Sequence, residues 1–169
     1  QMTGEDDQRW TQLGVIEPSH PLYMTILRSL GDIAFLKHPL QHIRVGFQPI
    51  PYWPDHFLAW VHKDHYVLSP KASSRAELRL GVFSKLPNQW MVPHPYIKPL
   101  KTLRFGEDEA FKNFDWAPYE LTDLGRAVGV RSYRWSCGAG GSVCWNDLLR
   151  LVTLKAPVIR EVFIARVGY

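Results

Sequence analysis

The stretch HIRVGFQPIPYWPDHFLAWVHKDHYVLSPK, His42 to Lys71, decides how this chain is read. Its first part alternates. Ile43, Val45 and Phe47 fall on one side, with His42, Arg44 and Gly46 on the other, the period-two pattern of a half-buried strand. Pro49 and Pro51 end that run. HFLAWV and HYVL then flank Lys63 and Asp64, which predicts two strands joined as a tight hairpin. AELRLGVF, beginning at Ala76, predicts a further strand or a short helix. His56, His62, Asp64 and His65 are candidate ligands for zinc or a similar ion, because neutral imidazoles and carboxylates bind such metals. Their spacing matches no standard ligand pattern, and histidines around a turn are more often solvated polar residues.

Outward from this stretch the pattern changes. From Pro21, Leu22, Ile26, Leu27, Leu30, Ile33 and Ala34 recur at three- and four-residue spacing, which predicts a helix. Ser19 is its candidate cap, Pro21 suits its first turn, and Pro39 lies beyond its end. Residues 1–18 read as a polar, irregular tail with an acidic cluster at Glu5, Asp6 and Asp7. Between residues 86 and 103, Pro87, Pro93, Pro95 and Pro99 predict an extended arm rather than regular structure. Trp90, Met91 and Tyr96 on that arm are expected to tuck against the protein's own core. Leu121, Leu124 and Val128 suit a short helix stopped by Gly129, followed by a strand from Val130 to Ser136. CWNDLLRLVTL reads as helix or strand, and PVIREVFIARV as a strand. The expected fold is α/β in the broad sense, an α+β mixed sheet, with one domain over residues 19–169.

Composition bounds the function weakly. At 46% hydrophobic and 13% aromatic, the 169 residues suit a folded core rather than a disordered chain. A net charge of +4 favours an anionic partner slightly. No apolar run reaches the roughly 18 residues of a spanning helix, so no membrane partner is expected. The sequence starts at Gln1 and reads as a processed or trimmed product whose targeting is not legible. Two cysteines, Cys137 and Cys144, are too few for a disulfide scaffold and are compatible with the cytoplasm. Between them, Gly138, Gly140 and Gly141 form either a flexible turn or a backbone cradle for a phosphate, loosely like an acyl-CoA loop.

The order helix, strand, two strands, helix, strand leads to a resemblance. HIRVGFQPIPYWPDHFLAWVHKDHYVLSPK resembles the N-terminal endonuclease domain of TnsA-type transposon proteins, in the PD-(D/E)xK nuclease superfamily. Gln48-Pro49 stands at the family's Gln-Pro pair and Pro54-Asp55 at its Pro-Asp pair, while Lys71 ends the next strand. LGRAVGVRSYRWS is similar to its later helix and strand. The resemblance implies a restriction-endonuclease-like core, αβββαβ, with the Pro-rich arm as an insertion. It implies Asp55 as a metal-binding carboxylate for Mg²⁺ and Lys71 as the residue that positions the attacking water. The family's second acid is missing: Ser69 stands in its place and Pro70 interrupts the strand. The first helix offers Leu22 or Tyr23 where the family often has a glutamate. Glu77 substitutes only if the chain folds back on Asp55.

The leading expectation is therefore a nuclease-fold module of a mobile-element kind that binds nucleic acid, DNA favoured, or a nucleoprotein assembly, with weak or no cleavage. Gln48, Lys63, Arg75 and Arg79 are the candidate nucleic-acid contacts, and a solvated charged face is their plain alternative. Two other classes stay open. One is an assembly subunit that grips protein partners through the Pro- and Trp-rich arm. The other is an acyltransferase-like enzyme using residues 138–141.

Overall fold

The computed structural model describes residues 4–31, 42–69, 72–116, 126–135 and 145–168. In chain order the elements are α1 (Gly4–Gln12), β1 (Val15–Ile16), α2 (Tyr23–Leu30), β2 (Ile43–Pro49), β3 (His56–Lys63), β4 (Tyr66–Ser69), β5 (Ala72–Ser74), β6 (Glu77–Lys85), β7 (Met91–Pro93), β8 (Leu100–Arg104), β9 (Glu109–Asp115), β10 (Ala127–Trp135), β11 (Trp145–Thr153) and β12 (Arg160–Gly168). The fold mixes helix and sheet and is dominated by antiparallel strands. One sheet runs β1-β2-β3-β6, and β7 and β8 share the far edge of β6. A second sheet runs β12-β11-β10-β9, and β4 and β5 pair separately.

Strands β3 and β6 are buried on both faces, because one face meets α2 and the other meets the second sheet. Leu58 and Trp60 of β3, with Leu78, Leu80 and Val82 of β6, join Phe111, Phe114, Val128, Val130 and Val152 in one apolar cluster between the sheets. On the opposite face Ala59, Val61 and Phe83 pack with Val45 under Leu22, Tyr23, Ile26, Leu27 and Leu30 of α2. Helix α2 begins with the Leu22 N–H donated to His20 Nδ1 at 3.0 Å, not with a Ser19 cap. It ends at Leu30, whose carbonyl accepts from Arg79 Nη1 at 3.0 Å, a cation at the negative end of the helix. Ile33, Ala34 and Pro39 lie outside the described residues.

Several expectations need correction. The runs 56–63 and 66–69 do not form a hairpin with each other; β3 pairs with β2 and β6, and β4 pairs with β5. The edge of β3 that such a hairpin would use is taken by β6, whose Leu78, Leu80 and Val82 extend the buried core there. Within residues 4–18 the chain is not an irregular tail but carries α1 and β1. Trp10 and Leu13 are buried in the core, and Trp10 contacts Trp60, His62 and Phe111 at ring-centroid distances of 5.8, 5.0 and 6.2 Å. The Pro-rich arm is not a free arm either. Its residues form β7 and β8 on the edge of β6, where a proline such as Pro93 is tolerated. Met91 is buried as expected, whereas Trp90 and Tyr96 are 50% and 76% exposed. Val128 and Gly129 belong to β10, not to a helix. Gly129 allows close packing, since a Cβ there would lie 2.8 Å from Leu149 Cδ1. Leu121, Leu124, Cys137, Gly138, Gly140, Gly141 and Cys144 lie outside the described residues.

Two buried polar groups matter for stability. Glu109 accepts from both Arg150 Nη atoms, from the Ser132 hydroxyl and from the Gly106 N–H. Burial pushes the Glu109 carboxyl up, but Arg150, Gly106 and Ser132 outweigh it and hold it below the usual glutamate range.

His62 is packed among Trp10 and Phe111, with Asp64 Oδ1 3.3 Å from Nδ1 and Arg44 paired to Asp64. Burial holds this imidazole below the usual histidine range; Asp64 opposes that, and Arg44 and Arg9 reinforce it. The sign follows. Below about pH 6.5 the unfolded chain binds a proton that the folded His62 refuses, so folding stability falls as pH drops from there. His62→Leu is expected to flatten the fall in urea midpoint between about pH 6.5 and 5.5. An unchanged slope would contradict a neutral buried His62.

Candidate functional site

The turn before β3 holds Asp55 at φ 60° and exposed to solvent. That backbone region suits Asp, Asn or Gly, so Asp55 has a conformational role whatever its chemistry. Its carbonyl accepts the Lys85 N–H at 2.8 Å, and His56 stands opposite Ser84. The strand beside Asp55 is therefore β6. Its residues there are Phe83-Ser84-Lys85, with the Phe83 ring buried under α2 where an acid-x-Lys motif needs a carboxylate. Glu77 sits at the other end of β6, opposite Lys63. Lys71 and Pro70 lie outside the described residues, and Ser69 ends β4, which does not pair with β3.

The candidate phosphate contacts divide. Lys63 and Arg79 are buried, 3.5 and 3.2 Å from Glu77, so their charges are committed inside the protein. Gln48 donates to the Leu13 carbonyl at 3.1 Å and accepts from Trp116 Nε1 at 2.6 Å. Arg75 is exposed and lies 3.5 Å from Glu107. Of the histidines, His62 is buried and His65 is exposed, so the two do not share a surface. Among the described residues no group of three or more His, Cys, Asp or Glu side chains is placed to hold a metal ion. None of the described helices is long and apolar enough to cross a membrane.

A different constellation forms where the two sheets meet. The backbone bonds Lys98 N–H to Pro157 O (2.8 Å), Ile159 N–H to Lys98 O (2.9 Å) and Leu154 N–H to Arg126 O (2.8 Å) tie the β7–β8 connection, the start of β10 and the β11–β12 connection together. Above them opens a cleft of about 410 Å³ lined by Trp53, His94, Tyr96, Ile97, Arg126, Leu154, Lys155 and Ala156. Two of these are cations and none is a carboxylate.

The groups in and beside the cleft are held in place; His56 stands beside it and is not part of its lining. His56 stacks on Trp53 at 3.9 Å with 12° between the rings, and the Arg126 guanidinium lies 4.5 Å from the centre of the same indole. Such a cation–π contact costs Arg126 little further ordering when it binds an anion. His94 is 5.7 Å from Trp53, 5.6 Å from His56 and 6.0 Å from Tyr96, centroid to centroid. Behind the cleft the Tyr52 hydroxyl donates to the Ala127 carbonyl; burial pushes it up to about 12, against smaller opposing effects of Arg126 and that hydrogen bond. Tyr52 therefore stays protonated and braces the start of β10, where Arg126 emerges.

Sequence reasoning singled out the loop carrying Trp53 and His56 but ranked its histidines as trim, and it missed Arg126. The one usable signal was the dense aromatic–histidine–proline text in YWPDH and PHPY. Comparison with protein-family models, curated proteins and solved structures returns no match to this chain.

Proposed function

We propose that this chain is a nucleic-acid-binding module whose inter-sheet cleft holds a single-stranded segment. The observation that carries the reading is Arg126, held against Trp53 beside an exposed Tyr96 in a cleft with no carboxylate among its described lining residues. Non-sequence-specific single-strand binding uses this pairing, aromatic faces for bases and cations for phosphates. Tyr96 offers the open face and Arg126 the charge. The order α2, β2, β3 and, after the separate β4–β5 pair, β6 supports a nuclease-like αβββ framework of the TnsA-type kind, while β10, in the second sheet, departs from that core. The reading assigns no Mg²⁺ step, because the residue across from Asp55 on β6 is Lys85, and Ser84 and Phe83 beside it supply no second acid.

Titration with short single-stranded DNA and RNA at low salt tests this. Tyr96→Ala is expected to weaken binding by about 5- to 150-fold, the range for one lost stacking contact. Arg126→Ala is expected to reduce the slope of log affinity against log salt by about 0.7. Absence of binding at low salt would end the reading.

A second reading, a protein-interaction subunit using the former arm, is favoured by Leu86 and Trp90. They stand 39% and 50% exposed at the tip of the β6–β7 hairpin. The acyl-CoA reading falls on residues 138–141, outside the described residues.

A further inference from the structure

We propose that the cleft is a pocket for a single nucleotide drawn out of the strand, with its base on an apolar floor and its phosphate on Arg126 at the rim. This rests on the nucleic-acid reading above and names the unit that the site takes, one unstacked base with its phosphate.

Burial sorts the lining of the cleft into layers. Ile97 and Leu154 are 7% and 1% exposed and form its floor. Trp53 and His94 are half-buried walls, while Tyr96, Arg126 and Ala156 stand exposed at the rim. The floor is stitched to its neighbours through the backbone. The Leu154 N–H donates to the Arg126 carbonyl, and Lys98, next to Ile97, bonds to Pro157 and Ile159. A group that enters past the rim therefore stops on Ile97 and Leu154. At about 410 Å³ the cleft lies near the lower end of the range for small-molecule pockets. That is room for one base and its sugar, not for a run of stacked bases.

The polar chemistry fits the same ligand. The Tyr96 N–H can only donate, so its 3.1 Å contact with His94 Nδ1 makes Nδ1 the acceptor and puts the His94 proton on Nε2. Burial, and then the neighbouring His56, hold His94 below the usual histidine range, so this wall presents a neutral donor. Trp53 stacks His56 and carries the Arg126 guanidinium, so the indole serves as a mount for the cation rather than as a platform for a base. Arg126 suits a phosphate, whose oxygens its planar fork can bond in pairs. An apolar floor, a neutral donor on the wall and a mounted cation at the rim together match a base with acceptor groups and a phosphate left outside. Tyr96, at the rim, is placed for the next base of the strand.

The experiment displaces a fluorescent single-stranded oligonucleotide from the full chain at low salt with adenosine 5′-monophosphate or with ribose 5-phosphate. The mononucleotide should displace the strand, and the base-free sugar phosphate should need about 5- to 150-fold more, the range for one lost base contact. Ala156→Phe narrows the cleft from its exposed rim and leaves Arg126 and Tyr96 in place. It should weaken strand and mononucleotide alike by at least about 5-fold, the lower end of that range, with the urea midpoint unchanged. If that variant is destabilised, the competition on the natural protein decides alone. Three results would overturn the pocket while leaving the strand-binding reading intact: a mononucleotide that fails to displace, ribose 5-phosphate that displaces equally well, or equal strand binding by a folded Ala156→Phe. If the strand does not bind at all, the cleft reading itself fails and takes this proposal with it.

Discussion

Arg150→Met lowers the stability of this protein by about 3–5 kcal/mol, the expected cost of leaving a buried carboxylate without its cation. Glu109 and Arg150 are both buried, and they meet through paired Nη–Oε contacts with Ser132 and the Gly106 N–H completing the set. Glu161, a second acid 3.7 Å from Arg150 Nε, adds to the repulsion once the cation is gone. The double variant Glu109→Gln/Arg150→Met removes both charges and is expected to recover much of the loss, since desolvating the ions costs about as much as their attraction returns. Urea unfolding of the two single variants and the double variant measures the coupling. The pH dependence has a stated sign. The Glu109 carboxyl is held below its unfolded range, so its contribution is present above about pH 4.3 and is lost as pH falls through the folded value. Equal losses that simply add in the double variant would contradict the network.

Trp60→Ala is the second large effect, about 3–5 kcal/mol. The indole is fully buried, stands opposite Gly46 across β2 and β3, and donates its Nε1–H to the Leu13 carbonyl at 2.8 Å. It reaches that carbonyl by lying over Gly46, where an added Cβ would fall 2.3 Å from Cζ2 and 2.7 Å from the Gly14 carbonyl oxygen. Gly46→Ala alone is therefore expected to destabilise by about 1–3 kcal/mol through overpacking. In a Trp60→Ala background the same change meets the Gly14 carbonyl but no longer the indole, so its cost shrinks. A double-mutant cycle reads that coupling directly, and strict additivity would contradict the overlap.

These two sites show what the sequence carries and what it hides. The strand character of β2, β3 and β12 is legible because each has alternation or a bounded apolar run. The apolar stripe of α2 is legible for the same reason. Partners of strands are not. β3 reads as one arm of a hairpin with β4, because Lys63 and Asp64 look like turn residues. In the structure Lys63 is neutralised against Glu77 inside the fold, and Asp64 is held by Arg44. Charge buried by long-range pairing leaves no local trace. Trp10 and Leu13 are hidden likewise: among charged neighbours they read as tail, yet they close the core over Trp60.

The candidate site was half visible. Asp55 and the loop before it are legible as a Pro-Asp turn opening a strand, but the neighbour across from Asp55 is Lys85 on β6. His94, Tyr96 and Arg126 converge only through β7, β8 and the start of β10, so their assembly depends on contacts 30 to 70 residues apart, and no spacing rule detects it.

The most direct measurement is equilibrium titration of the intact protein with a fluorescent single-stranded oligonucleotide, across a salt series, for the natural sequence and for Arg126→Ala and Tyr96→Ala. Binding that weakens with salt, a shallower salt slope for Arg126→Ala and a large affinity loss for Tyr96→Ala are predicted. Equal binding by all three proteins, or none at low salt, would contradict a nucleic-acid role for the cleft.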